Sequence, residues 1–316
     1  MTSPVKVAFL GPEGTYTHQA VTQQFGNDPQ MVTILPQSSI KACFDQLNEK
    51  CVDYAVVPLE NSTNGQVVFT YDLLRDWYLP QDGTNPPEFS VVGEQFVAIH
   101  HYLFLNASDL SKVEKLYSHP QVWGQVSDFL RNETFNGSYS RIDTSSTAQA
   151  AERVHEDKKN VSACISSQMS GKLYGLPTKA AEIEDMKGNT TRFLILGYGA
   201  MLRSENDLGL AKTDENFGSA APDTKTYITS LVFILNDNDP GALCEALHAF
   251  KTNNVNLTSI ASRPSKKTPW EYVFFVEAEG FGESEAMQRS FQMLQLQCRK
   301  VSIIGLFLRS WRYRKG

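Results

Sequence analysis

With 316 residues, 41% of them hydrophobic and 20% charged, the chain reads as a folded protein too long for one ordinary core. Its net charge of −6 disfavours nucleic acid and anionic membrane surfaces as partners. A small anionic ligand meets the same unfavourable sign, so its attraction must come from local donors such as helix N-termini and single arginines.

Five dispersed cysteines (Cys43, Cys51, Cys164, Cys244, Cys298), without a C-x-x-C pair, point to reduced thiols and a cytoplasmic setting. No apolar run approaches the roughly 18 residues that span a bilayer. The N-terminus enters an apolar strand at once, so no export signal is expected.

In chain order, short apolar runs alternate with helical patterns, as in parallel α/β construction. Val7–Gly11 reads as a buried strand and Thr17–Phe25 as a helix that Thr15 or Thr17 can cap. Ser39–Glu49 reads as a helix and Tyr54–Glu60 as a strand. Phe89–Leu105 reads as extended chain crossing into a second lobe of about residues 100–185. There Val113–His119 reads as strand, Gln121–Asn132 as helix, Ser145–Val154 as capped helix and Ser162–Ser167 as strand. Thr191–Gly197 is a strand expected to return to the hinge or first lobe. Two such lobes enclose a cleft, where folds of this kind bind small molecules.

Residues 202–225 are polar and aperiodic, the pattern of a linker between a first domain of residues 1–201 and a second of 226–316. The second domain reads as βαββαβ, a ferredoxin-like unit, with a helix over Gly241–Asn253 begun by Asp239 and Pro240. The terminal RSWRYRKG is basic and aromatic and reads as a solvated tail.

Several polar constellations fall on this frame. GPEGTYT (Gly11–Thr17) joins a strand to a helix, and its hydroxyls and helix N–H groups suit either a capped turn or an anion cradle. It is neither the dinucleotide fingerprint nor a P-loop. Glu60, Asn61 and Ser62 of PLENS fall at the C-terminal edge of a buried strand, where ligands of open sheets bind. Ser62 and Thr63 could equally cap a following helix. Ser146 and Thr147 either cap a helix or hold a carboxylate with it. Arg192 opens a strand, either as a partner of Glu182, Glu184 or Asp185 or as a bidentate carboxylate anchor. His100 and His101 are adjacent on a strand and face opposite ways, which leaves His119 as the histidine best placed for a cleft. No metal-ligand spacing is present.

The order of these blocks, GPEGTYT, VPLENSTNGQV, SHPQ, SSTAQAA and IEDMKGNTTRF, resembles prephenate dehydratase over nearly all of the first 200 residues. PGALCEAL and SRPSKKTPWEYVFFVE are similar to an ACT domain. The resemblance implies a two-lobed, periplasmic-binding-protein-like α/β catalytic domain followed by the ferredoxin-like ACT domain. It implies a monofunctional lyase that converts prephenate to phenylpyruvate, water and carbon dioxide with no metal or other cofactor. By resemblance, Thr191, Arg192, Phe193, Glu60 and Asn61 are catalytic, Thr191 being the donor to the departing hydroxyl. Thr15, Ser62, His119, Gln121, Gln125, Ser146 and Thr147 line the substrate. Gly241, Ala242, Leu243, Ser262, Arg263 and Pro264 bind the effector L-phenylalanine, in a homodimer or homotetramer.

The chain departs from the family at Val126, where a Cys usually follows the glutamine of that helix, and at Ala261, where a Glu usually precedes Ser-Arg-Pro. An arogenate dehydratase would share the motifs, and a non-catalytic two-lobed sensor would share the architecture.

Overall fold

The computed structural model describes residues 3–80, 84–132, 139–199, 213–214, 218–219, 226–236 and 240–313. Strand β1 (Val5–Leu10) is buried because helices pack on both of its faces. Val7 and Phe9 meet α1 (Tyr16–Phe25), while Ala8 meets α2 (Ile40–Asn48), which follows β2 (Val32–Gln37). β1 pairs in parallel with β2 and with β3 (Tyr54–Asn61). A two-residue strand, β4 (Gly65–Gln66), turns back along the end of β3 and leads into α3 (Val68–Tyr78). β5 (Ser90–Ala98) then carries the chain towards the second lobe.

That lobe is a five-stranded sheet built from β6 (Tyr102–Leu105), β7 (Lys115–Ser118), β8 (Ser140–Asp143), β9 (Ser162–Ser166) and β10 (Thr178–Ala180). Its order is β10-β6-β9-β7-β8. Its helices are α4 (Pro120–Trp123), α5 (Ser127–Asn132), α6 (Thr147–Glu156) and α7 (Gln168–Leu173). β11 (Thr190–Gly197) returns and runs antiparallel between β3 and β5, so the chain crosses between the lobes twice. The hydroxyls of Ser167 and Ser170 both donate to the Gly14 carbonyl, at 2.9 and 2.8 Å, and tie the lobes together.

Between residues 200 and 225 only β12 (Thr213–Asp214) and β13 (Gly218–Ser219) are described. The rest of the expected linker lies outside the described residues, as does Asp239. The following unit is β14 (Tyr227–Leu235), α8 (Ala242–Thr252), β15 (Leu257–Pro264), β16 (Tyr272–Glu279), α9 (Glu285–Gln297) and β17 (Cys298–Leu308). The order β15-β16-β14-β17 is that of the expected ferredoxin-like unit.

Three readings are corrected here. The helix expected over Gln121–Asn132 is two, because the Asp185 carboxylate accepts the N–H groups of Ser127 and Asp128 and starts α5 afresh. Ser62 and Thr63 do not cap α3, whose N-terminal flank is Val67. The C-terminal segment is not a solvated tail as far as Tyr313. Arg309 reaches Glu94, Arg312 is 6% exposed and donates to Gln95, and Tyr313 packs on Phe96.

The two sheets of the first lobe and the C-terminal unit join into one of ten strands, because β17 lies parallel to β5 with Gly305 opposite Val91. The joint requires glycine. A Cβ at position 305 would lie 2.2 Å from the Val91 carbonyl oxygen, a backbone atom that cannot rotate aside. Gly305→Ala is therefore expected to lower stability by about 1–3 kcal/mol in denaturant titration. Gly124→Ala, where nothing lies within 4 Å of the added carbon, serves as the neutral control.

Candidate active site

A cavity of about 900 Å³ lies between the lobes. The first lobe supplies Thr15, Tyr16 and Thr17 from the start of α1, Gln37 and Ser38 ahead of α2, Asn61 from β3, and Thr191 and Phe193 from β11. The second lobe supplies His119, Gln121 and Gln125 from the α4 region and Ser145, Ser146 and Thr147 from the start of α6. His101, just beyond β5, closes the wall between them. None of the described residues lining this cavity is Asp, Glu, Lys or Arg. Its polarity comes from hydroxyls, amides, two imidazoles and helix first turns.

Those first turns are set by their caps. The Thr15 hydroxyl accepts the His18 N–H of α1, and the Ser146 hydroxyl accepts the Gln149 N–H of α6. Each cap occupies one of the orphan donors of its helix, so both positive helix ends border the cavity from opposite lobes. His119 caps α4 in the same way, its Nδ1 accepting the Gln121 N–H at 3.3 Å. Burial holds the His101 and His119 rings below the ordinary imidazole range, so both are neutral near pH 7. His101 Nε2 lies 2.7 Å from Oε1 of Gln125.

Asn61 organises the floor. Its Nδ2 donates to Thr191 Oγ1 at 2.9 Å and to Asn189 Oδ1 at 2.8 Å, while its Oδ1 accepts the N–H groups of Thr63 and Asn64. The Thr191 oxygen is thus an acceptor from Asn61, and its own proton has no acceptor among the described residues.

Three residues expected in the cleft are not there. Arg192 and Glu60 lie on the opposite face of β11 and β3 from Thr191, Phe193 and Asn61, because successive side chains of a strand point opposite ways. Arg192 is 4% exposed and donates Nε to Glu94 at 2.7 Å, Nη1 to Glu60 at 2.9 Å and Nη2 to Glu277 at 2.7 Å. It is a structural hub rather than a carboxylate anchor, and its partners are not the upstream acids. Ser62 is also turned from the cavity, its hydroxyl accepting the Thr190 N–H and donating to Asn189. Tyr16, His101 and Asn189 line the cavity and were not among the expected site residues. The expected strand placement of His100 and His101 is corrected, since both lie in the connection between β5, which ends at Ala98, and β6, which starts at Tyr102.

In the C-terminal unit, Gly241 precedes α8 in the left-handed region (φ 94°). The pairings of Pro264 with Tyr272 and of Phe233 with Phe274 put Ser262–Pro264 at the end of the sheet where β14 leads towards Gly241 and the first residues of α8, Ala242 and Leu243. Arg263 is engaged with the first lobe, where its Nε donates to Asp72 of α3 at 2.9 Å, and Arg75 of α3 donates to the Pro264 carbonyl.

A family model described as prephenate dehydratase matches residues 7–200, and one described as the ACT domain matches residues 229–289. A Saccharomyces cerevisiae protein named probable prephenate dehydratase is 38% identical, with 86% of each chain covered. The bifunctional chorismate mutase/prephenate dehydratase of Aquifex aeolicus is 33% identical over 96% of this chain and 73% of its own. Of the solved structures, the Staphylococcus aureus prephenate dehydratase has a TM-score of 0.71 at 26% identity, over 96% of this chain and 100% of its own. One described as a quorum quenching acylase, GqqA, has 0.75 at 26%, over 96% and 98%. The Arthrobacter aurescens prephenate dehydratase in complex with L-Phe has 0.78 at 24%, over 99% and 92%.

Two consequences of the buried charges can be measured. Arg192→Met leaves buried Glu94 and Glu277 with Arg309 as their one remaining counter-charge among the described residues and should cost about 3–5 kcal/mol in denaturant titration. A change near zero, such as the exposed Arg131→Met should give, would contradict the hub. Burial alone would raise the Glu184 carboxyl, but the His101 N–H and the His100 ring overcome it and hold the group below its usual 4.5. Its contribution is present above that unfolded-state value and is lost as pH falls through the lower folded one. Glu184→Gln should accordingly be less stable at pH 7 and should lose less stability between pH 5 and 3, read as Tm against pH.

Proposed function

The chain belongs to the prephenate dehydratase family and is an enzyme that converts prephenate to phenylpyruvate, water and carbon dioxide, and we propose that Thr191 donates to the hydroxyl that departs. The observation that carries this reading is the Asn61–Thr191 hydrogen bond. An amide N–H on the threonine oxygen fixes that oxygen and leaves its proton for a ligand.

The reaction takes one proton overall. The electrons of the bond to the ring carboxylate move into the ring as carbon dioxide forms, the bond to the ring hydroxyl breaks, and that oxygen leaves as water. A threonine hydroxyl is a weak acid, but the departing oxygen becomes strongly basic as its bond breaks, so donation late in the step suffices, and the threonine regains from solvent the one proton that the reaction takes. Phe193 packs beside the ring.

The two carboxylates of the substrate lie towards the first turns of α1 and α6, with Thr15, Ser146 and Thr147 at those turns. Gln121, the Gln125 amide and His119 complete the donors. His119 accepts at Nδ1, so in its neutral ring the proton is on Nε2 and available to the cleft. Thr191→Ala should lower kcat by a factor on the order of 10² with KM little changed, and Thr191→Ser should recover part of it. The check is phenylpyruvate absorbance with prephenate and arogenate run in parallel. Wild-type turnover by Thr191→Ala would sink the donor role, and faster turnover of arogenate would reassign the preferred substrate.

We also propose that L-phenylalanine binds the ACT domain at Gly241–Leu243 and Ser262–Pro264 and slows the cleft chemistry. Support comes from the close backbone approach that Gly241 permits and from the shared end of the sheet. The contacts of Arg263 and Pro264 with α3 offer a route to the first lobe. β15 is an edge strand with Ile260 half-exposed, which suits burial against a second copy in a cytoplasmic homodimer or homotetramer. Titration calorimetry of the full chain with L-phenylalanine, beside activity, should show both binding and inhibition. Binding without inhibition would break the coupling.

A further inference from the structure

The ion cluster behind the cleft has a feature that the reaction itself does not require, namely a carboxylate from the other domain. Arg192 follows Thr191 on β11, and Glu60 precedes Asn61 on β3, so one guanidinium holds the immediate neighbours of both members of the Asn61–Thr191 pair. The strand ladder is weak at this point. Arg192 pairs with Glu60 but Phe193 with Pro58, so Leu59 is bulged and a regular hydrogen-bonded step is lost. On the other side of the pair the Ser62 N–H donates to the Thr190 carbonyl at 2.8 Å, so it is on the bulged side that the register of Thr191 opposite Asn61 leans on the Arg192 side chain.

Arg192 in turn is oriented by Glu94 of β5 and by Glu277 of β16, the latter from the ACT sheet. Arg309, just beyond β17, bonds Glu94 and comes within 3.9 Å of Glu277. Both Oε2 of Glu277 and Nε of Arg309 are buried, and among the described residues neither has a hydrogen-bond partner. A buried carboxylate with one oxygen committed to Arg192 and the other facing Arg309 without a hydrogen bond has two competing partners. A small slide of the ACT sheet that closes the second contact would draw Glu277 from the first.

We propose that Glu277 is a positioning residue for the active site. Through Arg192 it holds Thr191 in register with Asn61, and its sharing between Arg192 and Arg309 is the contact by which the state of the ACT domain reaches the donor hydroxyl. This rests on the reading of Thr191 as donor and of the ACT domain as regulatory.

The test uses the full chain. Glu277→Ala leaves two arginines with two carboxylates, a balanced cluster, so the fold is expected to survive. Its kcat for prephenate should fall about tenfold with KM within about twofold, and Glu277→Gln should lie between it and wild type. Calorimetry should show L-phenylalanine still binding Glu277→Ala while inhibition at saturation weakens at least severalfold. A lowered Tm with unchanged kcat per folded molecule is the signature of a merely structural acid and would overturn the proposal, as would inhibition at the wild-type level. Should Glu277→Ala fail to fold, Glu277→Gln carries the same comparison at nearly constant volume. Failure of the underlying readings shows elsewhere: full turnover by Thr191→Ala removes the donor, and absence of L-phenylalanine binding to wild type removes the effector. In the second case the kcat comparison still decides the positioning role.

Discussion

Everything at the centre of this molecule depends on one pair of strands being used on both sides. β3 and β11 run antiparallel, and the two-residue alternation of their side chains sends Asn61, Thr191 and Phe193 into the cleft and Glu60 and Arg192 to the back. The cleft side is neutral and hydrogen-bonded, whereas the back is a knot of buried charge. Neither face could be changed without disturbing the other, because adjacent residues on one backbone serve both. In the proposed reading the arginine helps to set the register and the threonine is the donor.

The absence of formal charge among the described cavity residues fits the reaction better than an arginine clamp would. In the transition state the ring carboxylate is giving up its charge to become carbon dioxide. A cation paired with it would stabilise the ground state more than the transition state and slow the step. In the proposed binding mode helix first turns and hydroxyls seat the dianion without that penalty, and the other carboxylate, which keeps its charge throughout, is held by the same kind of donor at no kinetic cost. With the chain itself at net −6, no long-range field assists binding, which leaves attraction to local donors.

Much of this was legible in the sequence. The two α/β lobes, the crossing strands and the βαββαβ unit followed from periodicity, and the blocks around Thr15, Asn61, His119, Ser146 and Thr191 fall around one cavity. What misled was reading a motif as a unit. Glu60-Asn61 and Thr191-Arg192-Phe193 each sit on a strand, so alternation alone forbids all of them from facing one way. Other features were beyond reach in principle. The Asp185 cap of α5, the seating of Arg309 and Arg312 on β5, and the joint at Gly305 all depend on residues far apart in sequence, and no local pattern encodes them.

That joint makes the two domains hard to regard as separable parts. Without the C-terminal unit, β5 would present an open edge, and the cluster would lose Glu277 of β16 and Arg309 beyond β17 together. Arg192 would then rest on Glu94 and Glu60, and Glu94 would lose the Arg309 contacts that balance it in a dry site. A regulatory domain tethered only by a linker could be removed with little consequence for the chemistry. Here it is built into the same sheet as Thr191, so hydrogen-bonded backbone and buried charge connect β16 and β17 to the strand that carries the proposed donor.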